Sequence, residues 1–257
     1  MVTANTSTSL SAEARRDLIL RQLTRDGFAS VRTLQDNLGV SDMTVRRDLK
    51  QLQSEGSVTV VHGGASLPRT EDYARRGRSE QLAKIAIAKR AVSLIPPGAA
   101  IILDAGTTVA ALAESLPRDF DGYVITHSLP VLNNLVDTDI ATHCLGGGLL
   151  SQSLALAGPT TVENLAKVYA EVAFMGTASI SADGIFVAKD LERSAKLAFL
   201  KAAKKIIVLA DHTKFACQAP LKLAGLDVVH MVITDREPPL AIRKALEAAG
   251  VEILLAQ

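Results

Sequence analysis

The sequence predicts an α/β protein in two parts: a small helical domain with a short β-hairpin, then a larger domain around a mostly parallel sheet. Three observations carry this expectation. From about residue 99 onward, short, wholly apolar runs rich in Val and Ile alternate with helical stretches, as in strands covered on both faces by crossover helices. Before residue 66 the apolar spacing is helical and is punctuated by Ser caps and Gly stops. Of the 257 residues 48% are hydrophobic and 4% aromatic, a balance that favours an Ala/Leu/Val-rich α/β chain over a β-sandwich.

Charge and cysteine usage narrow the class. With 28 Lys and Arg against 27 Asp and Glu, the net charge is +1, so a nucleic-acid site has to be local rather than a chain-wide basic field. Cys144 and Cys217 are far apart and lack metal-ligand spacing, which predicts a reduced, cytoplasmic setting. The start, "MVTANTSTSLSAEARR", lacks a signal-peptide core, and no apolar run reaches the ~18 residues of a membrane span. No HExxH, Walker, GxGxxG or GxSxG motif occurs, so neither a metal nor a cofactor is expected.

Taken in order, Ser11 suits an N-cap with Glu13 in the first turn, and Ala14, Leu18, Ile19 and Leu23 follow helical spacing until Gly27. After Phe28, Ser30 suits the cap of a short helix with Val31, Leu34 and Leu38 on one face. Gly39 and Val40 make a turn, and Ser41 caps a third helix that runs to about Glu55, with Gly56 as its stop. Two short helices joined by a Gly-containing turn form a helix-turn-helix. On the third helix Val45, Leu49 and Leu52 form the packing stripe, while Met43, Arg46, Arg47 and Lys50 fall on the opposite half, with Thr44 at its edge. That basic half begins at the helix N-terminus, the end that probes base edges in this motif. Arginine can grip guanine with two bonds, threonine can touch a thymine methyl, and lysine suits phosphate.

A merely solvated charged face competes for this helix alone. The preceding helix-turn and the following "SVTVVHGGAS", a β-rich run turning at Gly63-Gly64 as a wing would, favour a DNA-reading head. Its expected contacts are Ser41, Met43, Thr44, Arg46, Arg47 and Lys50, with His62 in the wing motif. Asp48, beside the core stripe, is expected to orient an arginine rather than touch DNA. The next segment, "SLPRTEDYARRGRSEQ", is polar, carries Pro and Gly, and reads as a linker. Arg69, Arg75, Arg76 and Arg78 make it locally basic, so a solvated hinge and supplementary phosphate contact both stay open. The expected boundaries are thus 11–65 for the DNA-binding domain, 66–81 for the linker and 82–257 for the larger domain.

In the larger domain "AAIILD", "GYVIT", "ATHCLGG", "EVAFMG", "KKIIVLAD", "VVHMVITD" and "VEILLA" read as strands. Ligands in such sheets sit beyond the carboxyl ends of the strands, where the polar motifs recur. In "LDAGTTV", Asp104 ends a strand, Gly106 allows close backbone approach, and Thr107 and Thr108 open a helix whose free amides could form an anion pocket. Ordinary capping is the competing reading, and Asp104 suits sugar hydroxyls better than phosphate. Thr126, His127 and Ser128, then Gly146 and Gly147, end the next two strands on the same rim. Asp211 and Lys214 in "ADHTKF" offer an acceptor and a cation, or else a surface ion pair. His143, His230, Cys144 and Cys217 lie in or near apolar runs and read as packing residues rather than ligands.

"SDMTVRRDL" followed by "VHGGA" resembles the winged helix-turn-helix of DeoR-type bacterial transcription regulators, whose pattern is S-x-x-T-[IV]-R-R-D-L and then H-G-G-A. Lys84, Ile87 and Ala88 resemble that family's K-x-x-I-A entry to its second domain. "DAGTT", Gly146-Gly147, "AGP" at Ala157 to Pro159, "AFMG", the pair Glu192 and Lys196, and "ADHTKF" resemble its effector domain in order. That domain is related to ribose-phosphate isomerase-like folds and typically senses phosphorylated sugars. The resemblance implies a repressor of carbohydrate metabolism genes that binds double-stranded operator DNA as a homodimer or homotetramer. It also makes 82–257 the effector-binding and oligomerisation domain and places Asp104, Gly106, Thr107, Thr108, Asp211 and Lys214 in the effector site. Glu192 and Lys196 stand at i, i+4 spacing, so an intrahelical salt bridge competes with a ligand role. Three departures stand out: Thr59 and Val60 where arginine often precedes the wing motif, His127 where asparagine is frequent, and Leu150 where arginine often follows the glycine pair. The runner-up is a sugar-phosphate isomerase-like enzyme with a DNA-binding appendage, using Asp104 and Asp211 beside Lys214 for proton transfer.

Overall fold

The computed structural model describes residues 11–54, 57–61, 63–66, 73–216 and 218–256. Gly56, His62, Arg69 and Cys217, singled out above, lie outside them. The chain divides into two units, Met1–Thr70 and Glu71–Gln257.

In the first unit α1 (Ala12–Asp26) starts where Ser11 accepts the Ala14 amide at 3.1 Å, and it ends at Gly27. Ile19 and Leu23 are fully buried, but Leu18 is 40% exposed, so the buried stripe passes beside Leu18 rather than through it. Phe28–Ser30 forms a strand, β1, that the sequence reading passed over. Ser30 then caps α2 (Val31–Leu38) through the Thr33 amide at 3.0 Å, and Gly39 closes that helix in the left-handed conformation, φ 64°. α3 (Asp42–Ser54) is followed by β2 (Thr59–Val61) and β3 (Gly64–Ser66), which pair antiparallel in the order β1-β3-β2. A Cβ at Gly64 would stand 2.3 Å from the Ala29 carbonyl oxygen, so only glycine lets β1 and β3 approach this closely. Val45, Leu49 and Leu52 of α3 pack with Ile19, Leu23 and Leu34 in one core. Each such buried side chain contributes about 1.5–3 kcal/mol.

The second unit opens with α4 (Tyr73–Arg78) and α5 (Gln81–Val92). The second half of the expected linker is therefore helical and belongs to this unit. Strands and helices then alternate: β4 (Ala100–Leu103), α6 (Thr107–Ser115), β5 (Tyr123–Thr126), α7 (Leu129–Leu135) and β6 (Ala141–Cys144). A hairpin of β7 (Gly148–Leu150) and β8 (Ala155–Ala157) precedes α8 (Pro159–Leu165) and β9 (Ala170–Gly176). β10 (Ser179–Ser181) and β11 (Gly184–Val187) lead into α9 (Asp190–Ala202), β12 (Ala203–Leu209), β13 (Leu221–Ala224), β14 (Met231–Thr234), α10 (Leu240–Ala248) and β15 (Glu252–Leu255).

The strands expected from the apolar runs form one sheet in the order β15-β14-β12-β9-β4-β5-β6, with every neighbouring pair parallel. Period-two alternation divides its residues between two cores. Ile101, Leu103, Val172 and Phe174 face Ile87, Val109 and Leu112 on one side. Ile102, Ala173 and Met175 face Phe199, Leu165 and Leu246 on the other. The antiparallel sets β7-β8 and β10-β11-β13 were not expected; they are short, and their turns carry no strong Asn-Gly or Asp-Gly signal except at Asp183-Gly184.

Candidate functional sites

The first candidate is the exposed half of α3. Ser41 accepts the Thr44 amide at 3.3 Å, and the two hydroxyls share a 2.9 Å bond, which fixes the start of the helix. Met43 is 74% exposed, and Arg46, Arg47 and Lys50 are exposed beside it. Asp48 is buried on the opposite side and accepts both Nε (2.8 Å) and Nη2 (3.2 Å) of Arg15 from α1. The expected arginine partner of Asp48 thus comes from a different helix, and the pair pins α3 on α1. Arg46 donates Nε to Asp42 at 2.5 Å across one turn, whereas Arg47 makes no side-chain bond among the described residues. Arg47 and Lys50 are therefore the cations of this face with no side-chain partner among the described residues.

In the second unit, the motifs converge at the carboxyl ends of the adjacent strands β5, β4, β9 and β12. Asp104 follows β4 and is fully buried. Its carboxylate accepts the Gly176 amide (3.0 Å) and the Lys196 ammonium, and its Oδ1 lies 3.2 Å from His127 Nε2. Lys196 also donates to the Gly176 carbonyl at 2.7 Å. Burial alone would raise the Asp104 pKa, but the charge of Lys196 and the contact with His127 outweigh it and hold the carboxyl below its usual range. His127 Nδ1 donates to the Leu156 carbonyl on the β7–β8 hairpin at 2.7 Å, and the ring meets Phe199 edge-on at 4.9 Å. Lys196 is thus engaged with Asp104 and not with Glu192, so the intrahelical bridge is not formed.

A second cluster lies around Asp211, Lys214 and Lys84. Asp211 is buried and caps the turn His212–Phe215, accepting the amide (3.1 Å) and the hydroxyl of Thr213. Lys214 makes no ion pair among the described residues, so the two do not form the surface pair that the sequence left open. Lys84, 5% exposed, donates its ammonium to the carbonyls of Arg76 and Ser79. Desolvation lowers the Lys84 pKa, Asp211 opposes that shift, and Lys214 and Arg76 add to it. Glu80 opposes the shift too, so three cations gather around two carboxylates. Glu80, between α4 and α5, has φ 50°, and Leu154, in the hairpin turn, has φ 49°. Left-handed backbone at such residues costs on the order of 1–3 kcal/mol each and tends to mark switch regions.

The remaining expected residues divide by role. Gly106 (φ 152°) is the N-cap of α6 and supplies no side-chain cap, so the first amides of that helix, at Thr107 and Thr108, are left open. Thr126 donates to the Leu103 carbonyl at 2.7 Å, and Ser128 caps α7 at the Val131 amide, 3.4 Å; both are buried and bond the scaffold. Gly147 is required by space, since a Cβ would stand 2.3 Å from Thr161 Oγ1, while Thr161 donates to the Gly146 carbonyl at 2.6 Å. Glu192 stays apart from the Asp104 cluster's bonds. The sequence reading passed over Arg76 and Lys84 as site residues. Lys84 had a usable signal: it shares the i, i+3, i+4, i+7 stripe of Ile87, Ala88 and Ala91, where a lysine has to find buried partners. Among the described residues no group of three or more His, Cys, Asp or Glu is placed to hold a metal ion, and no helix is long and apolar enough to cross a membrane.

With this geometry in place, comparison with known proteins is specific. Residues 15–71 match the DeoR-like helix-turn-helix domain and residues 79–236 match the DeoR C terminal sensor domain. The HTH-type transcriptional repressor GlcR of Bacillus subtilis is 35% identical over 86% of this chain and 87% of its own. The glycerol-3-phosphate regulon repressor of Escherichia coli is 27% identical over 94% of this chain and 98% of its own. Among solved structures, ribose 5-phosphate isomerase A of Methanocaldococcus jannaschii aligns with 53% of this chain and 55% of its own at 20% identity, with a TM-score of 0.39.

Proposed function

The chain belongs to the DeoR family of helix-turn-helix transcription regulators, and from that premise we propose that it represses carbohydrate-metabolism genes and is released from, or held on, its operator by a phosphorylated sugar. In this reading Arg47 takes a base edge, Lys50 takes phosphate, and Ser41, Met43, Thr44 and Arg46 complete the contact. The single observation that carries the effector class is the excess of positive charge at this corner: buried Lys84 feels half-buried Lys214 and Arg76 together with Asp211 and Glu80, three cations to two carboxylates, and Asp211 already accepts from Thr213. A bound oxyanion would balance that charge, and the open amides of α6 would add to its hold. The Escherichia coli relative, a glycerol-3-phosphate regulon repressor, is named for a phosphorylated small molecule, which agrees with this class.

Catalysis is not part of this proposal. A general base needs a carboxylate free to take a proton, and that of Asp104 is committed to Lys196, Gly176 and His127. A homodimer or homotetramer completes the reading, because one helix in one groove discriminates weakly and paired half-sites multiply the effect. A thermal-shift screen of the full-length protein against sugar monophosphates and the matching free sugars tests the effector class. Stabilisation by phosphorylated members, about 2.7 kcal/mol at 100 times the dissociation constant, is expected. Equal or greater response to free sugars would refute it.

A further inference from the structure

We propose that α4, the helix that joins the DNA-reading unit to the sensor, is itself a wall of the effector site, and that its Arg76 takes the ligand's phosphate monoester. The inference rests on the effector reading above and adds a residue and a route of control to it. Arg76 carries five N–H donors in a planar fork suited to two oxygens of one anion. Nη2 reaches the Gln152 carbonyl at 3.3 Å, but Nε is buried with no partner among the described residues. Arg15 shows the contrast, because its Nε and Nη2 both rest on the Asp48 carboxylate. Among the described residues no carboxylate bonds to Arg76, whose contacts are the Gln152 carbonyl and the Tyr73 ring, 5.9 Å from its guanidinium carbon.

The position of α4 supports the assignment independently. At Gly77, the next residue, a Cβ would stand 3.9 Å from Thr107 Cγ2, so Arg76 and the uncapped first turn of α6 share one neighbourhood. Arg76 also reaches the turn that directly follows Leu150, and thus brings from another element the cation which Leu150 lacks. Its neighbours explain how the contact could act as a switch. Lys84 holds the carbonyl end of α4, and in the chain left-handed Glu80 and Leu154 shortly follow the two partners of the contact, Arg76 and Gln152. A phosphate that draws Arg76 from Gln152 loosens α4 from the hairpin. In the chain, residues 67–72 are all that separate α4 from β3 of the wing.

The test uses calorimetric titration of full-length wild type, Arg76→Gln and Arg76→Lys with the sugar monophosphate that stabilises wild type most, and with its free sugar. Arg76→Gln should bind the phosphorylated sugar at least tenfold more weakly and lose most of the preference over the free sugar. Arg76→Lys, which keeps the charge without the fork, should fall between. Amide exchange in residues 73–80 should change on ligand addition in wild type. Binding of Arg76→Gln within twofold of wild type would overturn the role of Arg76 while leaving the effector class intact. Wild type that binds no phosphorylated member would overturn both. Should Arg76→Gln melt early, Arg76→Lys decides: unimpaired binding and preference would overturn the proposal.

Discussion

The two units place their charges in opposite ways. On α3 the cations stand in water on the face opposite a narrow apolar stripe, and among the described residues Arg47 and Lys50 have no side-chain partner. In the second unit the charges are wholly or partly withdrawn from water: buried Asp104 and Lys196 neutralise each other, while buried Lys84 and half-buried Lys214 and Arg76 outnumber Asp211 and Glu80. The first arrangement suits a large polyanion that can approach from outside, with counterions released on contact. The second suits a small anion that must enter and be desolvated. In the proposed reading, the cations offered to DNA stand in solvent, whereas those offered to the effector lie partly or wholly beneath the surface.

The comparison breaks most visibly at the buried pair. Asp104→Ala leaves the Lys196 ammonium without its carboxylate and should cost the second unit about 3–5 kcal/mol in denaturant unfolding. Asp104→Ala with Lys196→Met should recover part of that loss; no recovery would mean the two side chains act independently. The same carboxyl sets a pH signature. Because its folded pKa is depressed, its contribution is present above the unfolded value of ~3.9 and is lost as pH falls through the folded value. The acid-unfolding curve of Asp104→Asn should lack that part of the wild-type slope.

A smaller effect separates structure from reading within the first unit. Asp48→Ala strands Arg15 at the α1–α3 contact and should cost about 1.5–3 kcal/mol of that unit's stability, with DNA affinity falling as a consequence. Circular dichroism melts would show it; an unchanged melt with weakened DNA binding would instead place Asp48 on the reading surface. The smallest effect belongs to Lys50→Ala. If Lys50 takes one phosphate, the slope of log affinity against log salt should fall by about 0.9, with equal weakening on all sequences. Loss confined to one sequence would make it a base reader.

Much of the fold was legible because both periodicities are strong. The Val45, Leu49, Leu52 stripe and the Ser41 cap define α3, and runs such as "AIIL" and "KIIVL" can be satisfied only as strands buried on both faces. The short antiparallel strands were not legible, because three-residue segments such as β1 and β8 carry no pattern longer than noise. The candidate site was legible where a motif sits at a strand end, as at Asp104 and Asp211. It was not legible where partners are distant in sequence: Lys196 meets Asp104 across 92 residues, and Arg76 meets Gln152 across 76. A basic, Gly-containing stretch reads as a solvated hinge until its contacts are seen, and α4 was missed for that reason.

The division between an exposed reading face and a buried sensing cluster is tested most directly by Arg47→Ala in fluorescence anisotropy. The probe is a duplex selected from random DNA by the wild-type protein, at fixed salt. Loss of one bidentate base contact should cost about 1–3 kcal/mol of discrimination, roughly fivefold to 150-fold in selected-site affinity. The thermal shift with a sugar monophosphate should stay that of wild type. Unchanged affinity for the selected duplex would contradict the account at its centre.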